Sequence, residues 1–465
     1  MKRNYDAAKT SDLFGSWGAS NSSADALLWG SLPLLRARSR DLMRNNPYAK
    51  RFRRMAISNV IGPQGITLQN RATDPNGKQD DKANNAIETA WWKWGMRCDV
   101  TGRFSFRQVC GMALGSVVAD GEVLIRKVRG RGEFGLELQL VEIDHLPEHL
   151  NDASRNIRMG IERDNFGKAT AYYLYEKHPT DLSSSLSQKL VRVPAEEIIH
   201  LYLPDRISQT RGIPWMHAAM TGLKMLGGYE EAELVAARLG AAKGGFYNRP
   251  AGEEMITGAE GSTPENPIQE VTPGMFEVLP EGWSFSPFDP THPTTAFKDF
   301  VKAILRGISS GFDVSYAYLA NDLEGVNYSS IRAGVLDERD MWMGLQSWFI
   351  ESVLEDIYKE WLWMALLSGK VKLPFAKFDK FHAPQWMPRR WAWVDPLKDM
   401  HANLLAIKAG LKSPSMVAAE MGNDIEEVYE AIKRDEELRK RLGITTATDA
   451  ELLQAIQAIG EKSEE

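Results

Sequence analysis

Residues 296–332 read AFKDFVKAILRGISSGFDVSYAYLANDLEGVNYSSIR, a helical pattern followed by a polar segment. Six apolar residues recur at the spacing of one helix face: Phe297, Phe300, Val301, Ile304, Leu305 and Ile308. Lys298, Lys302 and Arg306 recur every four residues on a second face, which would space these cations about 6 Å apart. The stretch therefore predicts a helix with a basic stripe that presents a polar loop to a charged partner. The alternative is a solvated helix face followed by an ordinary connection.

Composition limits the class of protein. The chain has 465 residues, enough for two or three domains or one elongated subunit of several parts. No apolar run approaches the roughly 18 residues that cross a bilayer, and no secretory signal follows Lys2 and Arg3, so we expect no membrane contact. Cys98 and Cys110, the two cysteines, fit a chain made in a reducing cytoplasm. The net charge of −6 argues against a protein that coats nucleic acid.

The remaining periodicity predicts an α+β chain without the regular alternation of a doubly wound enzyme. A basic helix is expected from Leu35 to Ala56. The predicted strands are Ile57–Leu68, Val123–Val128, Leu136–Ile143, Ala169–Tyr175 and Glu197–Leu203. The further predicted helices are Asp80–Met96, Ser105–Ala119, Trp215–Ala242, Ile331–Leu367, Leu397–Gly410, Ser413–Met421 and Asp424–Leu442. The many small residues of Trp215–Ala242 suit close approach of neighbouring backbones, either between subunits or inside one core.

Sequence patterns of known catalytic and metal sites do not hold up in this chain. Gly307-Ile-Ser-Ser-Gly311 matches the G-x-S-x-G pattern of hydrolases, but it ends an amphipathic helix and lacks the preceding strand that such a site requires. The chain has no P-loop sequence, so we expect no ATP hydrolysis. Asp144 and His145 with His149 could offer metal ligands, but Pro147 disfavours the helix that would align them. We therefore predict no catalytic residues, no cofactor and no metal.

Several segments resemble one family in the same order. Leu319–Arg332 resembles the tunnel-loop region of the lambda-type portal proteins of tailed bacteriophages. Five further segments agree with that family in order and spacing: Asn46-Pro-Tyr-Ala-Lys50, Asn59–Ile66, Asp120-Gly-Glu-Val-Leu124, Arg211-Gly-Ile-Pro-Trp215, and Phe246-Tyr-Asn-Arg-Pro250. The resemblance spans residues 40–443, which is most of the chain.

The resemblance implies an elongated α+β portal subunit with named parts. These are a flexible N-terminal arm (1–34), an α/β wing (35–212), a first stem helix (213–243), a clip module (244–292), a second stem helix (293–312), a tunnel loop (313–330), a long helix returning to the wing (331–395), a helical crown (396–443) and an acidic tail (444–465). It also implies a homo-oligomeric ring of twelve subunits at one capsid vertex of the virion, assembled in the host cytoplasm. The implied partners are double-stranded DNA, the terminase large subunit, head-completion or adaptor proteins and the major capsid protein.

Eight residues are expected to face DNA in the channel of that ring. The cations are Lys298, Lys302 and Arg306, and the loop residues are Asn321, Asp322, Glu324, Asn327 and Tyr328. Cations followed by acidic groups would give weak contacts that do not depend on DNA sequence and let the duplex slide. Each could also be an ordinary surface residue. The alternative functions are another virion part, such as a tail adaptor or capsid component, and a DNA-processing enzyme.

Overall fold

The computed structural model describes residues 20–181, 189–241, 245–248, 284–287, 297–324, 328–391 and 396–443. Its fold is mixed helix and sheet, as the sequence predicts. The chain forms two compact units. The first comprises residues 1–54, 116–122 and 202–326, and the second comprises residues 55–115, 123–201 and 327–465.

The first compact unit is mainly helical. Its helices are α1 (Ala24–Trp29), α2 (Leu32–Asn45), α3 (Pro47–Val60, which ends in the second unit), α6 (Met220–Ala241), α7 (Phe297–Gly311) and α8 (Tyr316–Ala320). Strands β9 (Gly245–Asn248) and β10 (Ser284–Pro287) form an antiparallel pair. A side-chain cap marks the start of α1, where Ser23 accepts a hydrogen bond from the backbone N–H of Ala26.

The second compact unit contains the larger sheets. A three-stranded sheet has the order β3 (Leu136–Val141), β2 (Glu122–Arg129), β8 (Ile198–Tyr202). An antiparallel sheet runs β4 (Ile157–Arg158), β5 (Ile161–Arg163), β6 (Ala169–Tyr175), β7 (Leu190–Pro194), and β1 (Thr67–Asn70) pairs with β11 (Pro384–Met387). Leu124, Ile143, Leu146 and Tyr172 belong to a buried apolar cluster that these strands share.

Helices complete the second unit. They are α4 (Asp81–Gly95), α5 (Phe106–Asp120, which ends in the first unit), α9 (Tyr328–Phe349), α10 (Glu355–Leu367), α11 (Phe378–Phe381), α12 (Pro396–Lys408), α13 (Pro414–Glu420) and α14 (Ile425–Leu442). A π-helical segment, Ile350–Leu354, joins α9 to α10. The rings of Trp91, Trp94, Phe106 and Trp361 pack together with centroids 4.8 to 6.1 Å apart. Packing inside one chain thus accounts for several of the fourteen tryptophans.

Most predicted elements are present with bounds shifted by a few residues, but four predictions are wrong. The basic helix breaks at Asn46, whose side chain accepts from the N–H groups of Tyr48 and Ala49 and so starts α3. Residues 57–60 continue α3 instead of forming a strand. The helix predicted from Trp215 begins at Met220, and the predicted N-terminal arm contains α1 and a fully buried Leu32. The break at Asn46 comes from a local cap and the burial of Leu32 from tertiary packing, neither of which periodicity encodes.

Two further observations concern the predicted parts. Most of the predicted clip (244–292) lies outside the described residues, and its described parts, residues 245–248 and 284–287, are the strands β9 and β10. In the described ranges, no helix combines the length and apolar character that crossing a membrane requires.

Candidate DNA-contacting site

The predicted helix with the basic stripe is present as α7, and it packs against α6. Leu305 and Ile308 are buried on the apolar face of α7. A Cβ atom built on Gly222 of α6 would lie 3.2 Å from Cγ1 of Ile308, and one on Gly311 would lie 3.3 Å from Cβ of Ala219. Gly222 therefore serves close packing within this chain, whereas Gly227 and Gly228 of α6 face open space, so both explanations for the small residues stay open.

The three cations of α7 lie near the loop that follows, and two of them are paired. Lys298 Nζ lies 2.6 Å from Glu324 Oε2, and both side chains are about two-thirds exposed. Lys302 Nζ lies 3.6 Å from Asp322 Oδ2, and both side chains are about one-quarter exposed. Arg306 is exposed, with its guanidinium carbon 5.8 Å from the ring centroid of Tyr316. The acidic loop groups thus pair with the cations instead of following them in series.

The loop has a defined backbone. Tyr316–Ala320 forms the single-turn helix α8, held by Leu319, which is 1% exposed. Asn321 then adopts a left-handed conformation with φ of 56°, which asparagine tolerates better than most residues. The Asp322 N–H donates to the carbonyl of Ala317 over 3.0 Å. This turn places the Asp322 carboxylate beside α7.

Tyr316 is the member of this site that the sequence analysis missed. Its hydroxyl donates to Asp322 Oδ2 over 2.7 Å, and the Lys302 ammonium lies 5.7 Å from its ring centroid. The hydrogen bond from Tyr316 lowers the pKa of Asp322. Burial, and then the bond to Asp322, raises the pKa of Tyr316 to about 12. A tyrosine six residues before an aspartate is a weak sequence signal, because only the left-handed turn brings the two together.

The loop is also anchored to α3. Arg51 Nε donates to the carbonyl oxygen of Tyr318. The rings of Phe52 and Phe312 are stacked with centroids 4.3 Å apart. The basic helix near the N-terminus therefore supports the loop through one polar and one aromatic contact.

The structure describes six of the eight predicted channel residues in this part of the first unit. Asn327 lies outside the described residues. Tyr328 is the first residue of α9 and belongs to the second compact unit. The other six residues, Lys298, Lys302, Arg306, Asn321, Asp322 and Glu324, lie on α7 or on the turn after α8.

A buried ionic centre lies elsewhere in the first unit. Glu122 accepts from Arg36 Nη2 over 2.7 Å, from Arg211 Nε over 2.9 Å and from the N–H of Gly212 over 2.9 Å. Both arginines and the glutamate are at most 3% exposed. Gly121, with φ of 90°, lies against the backbone of Ile213, where a Cβ atom would be only 2.4 Å from a carbonyl carbon. The segments Asp120–Leu124 and Arg211–Trp215, noted separately in the sequence, therefore meet here.

Three of the groups considered for catalysis or metal binding, Ser309, His145 and His149, are engaged in other contacts. Ser309 is 2% exposed and donates to the carbonyl of Leu305, as expected inside a helix. His145 Nδ1 lies 2.8 Å from the carbonyl oxygen of Tyr175, and His149 Nε2 lies 3.2 Å from the Tyr175 hydroxyl. His145 and His149 thus both contact Tyr175.

Comparison with known proteins identifies the class. Residues 10–346 match the family model described as phage portal protein, lambda family. The chain is 38% identical over 456 residues to a probable portal protein of Halomonas phage phiHAP-1, covering 96% of this chain and 88% of the relative. It is 23% identical over 478 residues to portal protein B of Escherichia phage lambda, covering 92% and 88%.

Solved structures give a looser likeness. The neck of a native gene transfer agent particle, computed with C12 symmetry, matches with a TM-score of 0.43 and 13% identity over 83% of this chain and 93% of that chain. The neck of an empty particle, computed with C6 symmetry, matches with a TM-score of 0.44 and 13% identity over 89% and 98%. A likeness at this level does not define function.

The family match and the curated relatives define a structural protein of the phage virion. The chain belongs to the lambda family of phage portal proteins. Its function is that of a portal, which forms the conduit at one vertex of the capsid, and the alternatives of an adaptor, a capsid component or a DNA-processing enzyme are not favoured.

Proposed function

We propose that copies of this chain form a closed ring, expected to contain twelve subunits, through which double-stranded DNA passes during packaging and ejection. The family match over residues 10–346 is the observation that carries this proposal. Closed rotational symmetry is the physical way to build an axial pore from copies of one chain. The ring would be assembled in the host cytoplasm and would occupy the capsid vertex.

The proposed channel lining is the cation column of α7, which consists of Lys298, Lys302 and Arg306, together with the loop that follows α7. Exposed ion pairs contribute little to stability, so a phosphate can replace the Glu324 carboxylate beside Lys298 at small cost. Each DNA contact would then exchange one anion for another. Such contacts are weak and salt-dependent, and they do not read DNA sequence.

The two pairs would differ in how readily they exchange. Asp322 is held by Tyr316 as well as by Lys302, whereas Glu324 has an exposed lysine as its ion-pair partner. We expect phosphate to compete first for Lys298 and Arg306, while Lys302 stays engaged with the loop. DNA would thus contact a surface whose loop stays in place through the contacts of Asp322, while Lys298 and Arg306 bind and release phosphates.

The proposed partners follow from the same function. A separate terminase large subunit would supply ATP hydrolysis, and this chain would not act as an enzyme. Head-completion or adaptor proteins would later bind the ring, and the major capsid protein would surround it. The DNA-facing role of Asn327 and Tyr328 remains part of the proposal.

The test compares two charge reversals of equal size. One variant carries Lys298→Glu, Lys302→Glu and Arg306→Glu. The control carries Arg158→Glu, Lys168→Glu and Lys177→Glu, three exposed cations of the second unit. Ring formation is scored by negative-stain imaging, and packaged DNA length is measured in a packaging assay.

We expect both variants to form rings and only the α7 variant to package less DNA. Normal packaged length in the α7 variant would contradict the channel assignment. Compact monomers of the wild-type protein at high concentration would contradict the ring itself.

A further inference from the structure

Three potential metal ligands converge in the second compact unit. His178 Nε2 lies 3.3 Å from Glu142 Oε2 and 3.9 Å from Asp144 Oδ2. One ligand atom from each of the three residues lies within 4.8 Å of the other two. Asp144 was a candidate ligand from the sequence, whereas Glu142 and His178 were not, because His178 lies more than thirty positions further along the chain, after a different strand.

Packed elements hold the backbone of this cluster in place, while the Glu142 side chain itself is 71% exposed. Glu142 precedes and Asp144 belongs to the 3-10 turn Ile143–His145, which is anchored by the buried side chains of Ile143 and Leu146. His178 follows β6. Its ring meets the ring of His145 edge to face at 5.6 Å, and His145 is itself bonded to the carbonyl of Tyr175. The donors therefore come from two segments that are tied to each other.

The donor spacing fits a small divalent cation. Zinc bonds to imidazole nitrogen and carboxylate oxygen are about 2.0–2.2 Å long, so tetrahedral ligand atoms lie about 3.4 Å apart. The two distances from His178 Nε2 bracket this value. A single imidazole can carry one positive charge against two carboxylates, whereas a divalent ion neutralises both.

We propose that Glu142, Asp144 and His178 bind one divalent first-row transition-metal ion, with Zn²⁺ as the best fit. An imidazole with two carboxylates favours such an ion over Mg²⁺ or Ca²⁺, which prefer oxygen ligands alone. Water would complete the coordination. Metal binding at Nε2 requires the imidazole proton on Nδ1, where Thr180 Oγ1, 3.1 Å away, would accept it. The Thr180 N–H, which donates to Nδ1 over 3.3 Å, would lose that bond when the ion binds. The ion would fasten the turn after β3 to the segment after β6.

The experiment uses tag-free, full-length protein stripped with EDTA. Isothermal titration with Zn²⁺ measures stoichiometry and affinity, and Co²⁺ absorption reports the ligand geometry. The variants are His178→Ala, Asp144→Asn and Thr180→Val. The matched control is His149→Ala, which removes a neighbouring imidazole outside the proposed site.

We expect one saturable Zn²⁺ per chain in the wild type and in His149→Ala. His178→Ala and Asp144→Asn should abolish that site, and Thr180→Val should weaken it about tenfold. An anomalous-scattering peak among the three ligands would support the site. Absence of saturable binding, unchanged affinity in His178→Ala, or equal loss in His149→Ala would overturn it.

Discussion

Two groups of cation–carboxylate contacts in the first compact unit use the same chemistry at opposite exposure. Arg36, Glu122 and Arg211 are at most 3% exposed. Lys298 and Glu324 are 63% and 67% exposed. A buried charge cannot be exchanged with water or an ion, whereas an exposed one can. The buried centre therefore fixes the fold, and the exposed Lys298–Glu324 pair is suited to changing partners.

Removing the buried carboxylate should have the largest effect. Glu122→Gln leaves two buried guanidinium groups without their counter-charge, which should lower the free energy of unfolding by about 3–5 kcal/mol. Urea unfolding followed by tryptophan fluorescence measures the change. Glu324→Gln makes the same substitution in the exposed pair and should leave the midpoint close to that of wild type. Equal urea midpoints for Glu122→Gln and Glu324→Gln would contradict the distinction between the buried and the exposed contacts.

The backbone beside the buried centre should be nearly as sensitive. Gly121→Ala adds a Cβ atom in contact with the backbone of Ile213 at a positive φ, so we expect a loss of at least about 2 kcal/mol. Gly102→Ala is the control, because Gly102 also has a positive φ but faces open space. The same urea experiment compares them. If Gly102→Ala lowered the free energy of unfolding as much as Gly121→Ala, the whole effect would come from the positive φ and none from the contact with Ile213.

Freeing the exposed cations should strengthen DNA binding without unfolding the protein. In assembled rings, Asp322→Asn with Glu324→Gln leaves Lys298 and Lys302 available to phosphates. We expect about threefold to tenfold tighter binding of a short duplex at low salt, and a steeper salt dependence. Fluorescence anisotropy between about 50 and 200 mM salt measures both.

The control for that experiment carries the same change in charge. Glu176→Gln with Glu196→Gln removes two exposed carboxylates of the second unit that pair with Lys189 and Arg129. If this variant gains as much affinity as the loop variant, net charge and not the α7 column accounts for the effect.

Sequence reasoning recovered the elements whose pattern is local. The 3.6-residue period of α7 predicted its apolar face and its three cations, and strand-like runs between turns predicted β2 and β6. It could not find the pairing of Lys302 with Asp322, because that contact depends on the left-handed backbone of Asn321. The loop therefore read as acidic groups in series with the cations instead of beside them.

The buried centre shows the same limit over a longer separation. Glu122 and Arg211 lie 89 positions apart, and each belongs to a segment that the sequence analysis noted for its resemblance alone. A periodic pattern predicts the structure of one segment and carries no information about which distant segment it contacts. Their meeting required the close approach of Gly121 to Ile213, a tertiary contact with no local signature.

The smallest expected effect is the pH dependence of the Tyr316–Asp322 hydrogen bond, which separates this pair from a freely exchanging one. The bond lowers the pKa of Asp322, so its contribution to stability is complete above the ordinary carboxyl pKa of about 3.9 and is lost as pH falls through the lowered value. The pKa of Tyr316 is raised to about 12, so the pH dependence of its contribution runs in the opposite direction: the contribution is complete below about pH 10 and is lost as pH rises toward 12.

The difference in urea midpoint between wild type and Asp322→Asn should therefore stay constant from about pH 7 to 5 and shrink below about 4. Tyr318→Phe, which removes a hydroxyl two positions from Tyr316, should show no such trend. If the Asp322→Asn difference instead vanished between pH 7 and 5, Asp322 would not be held as the structure has it, and both loop carboxylates would belong to the exchangeable class.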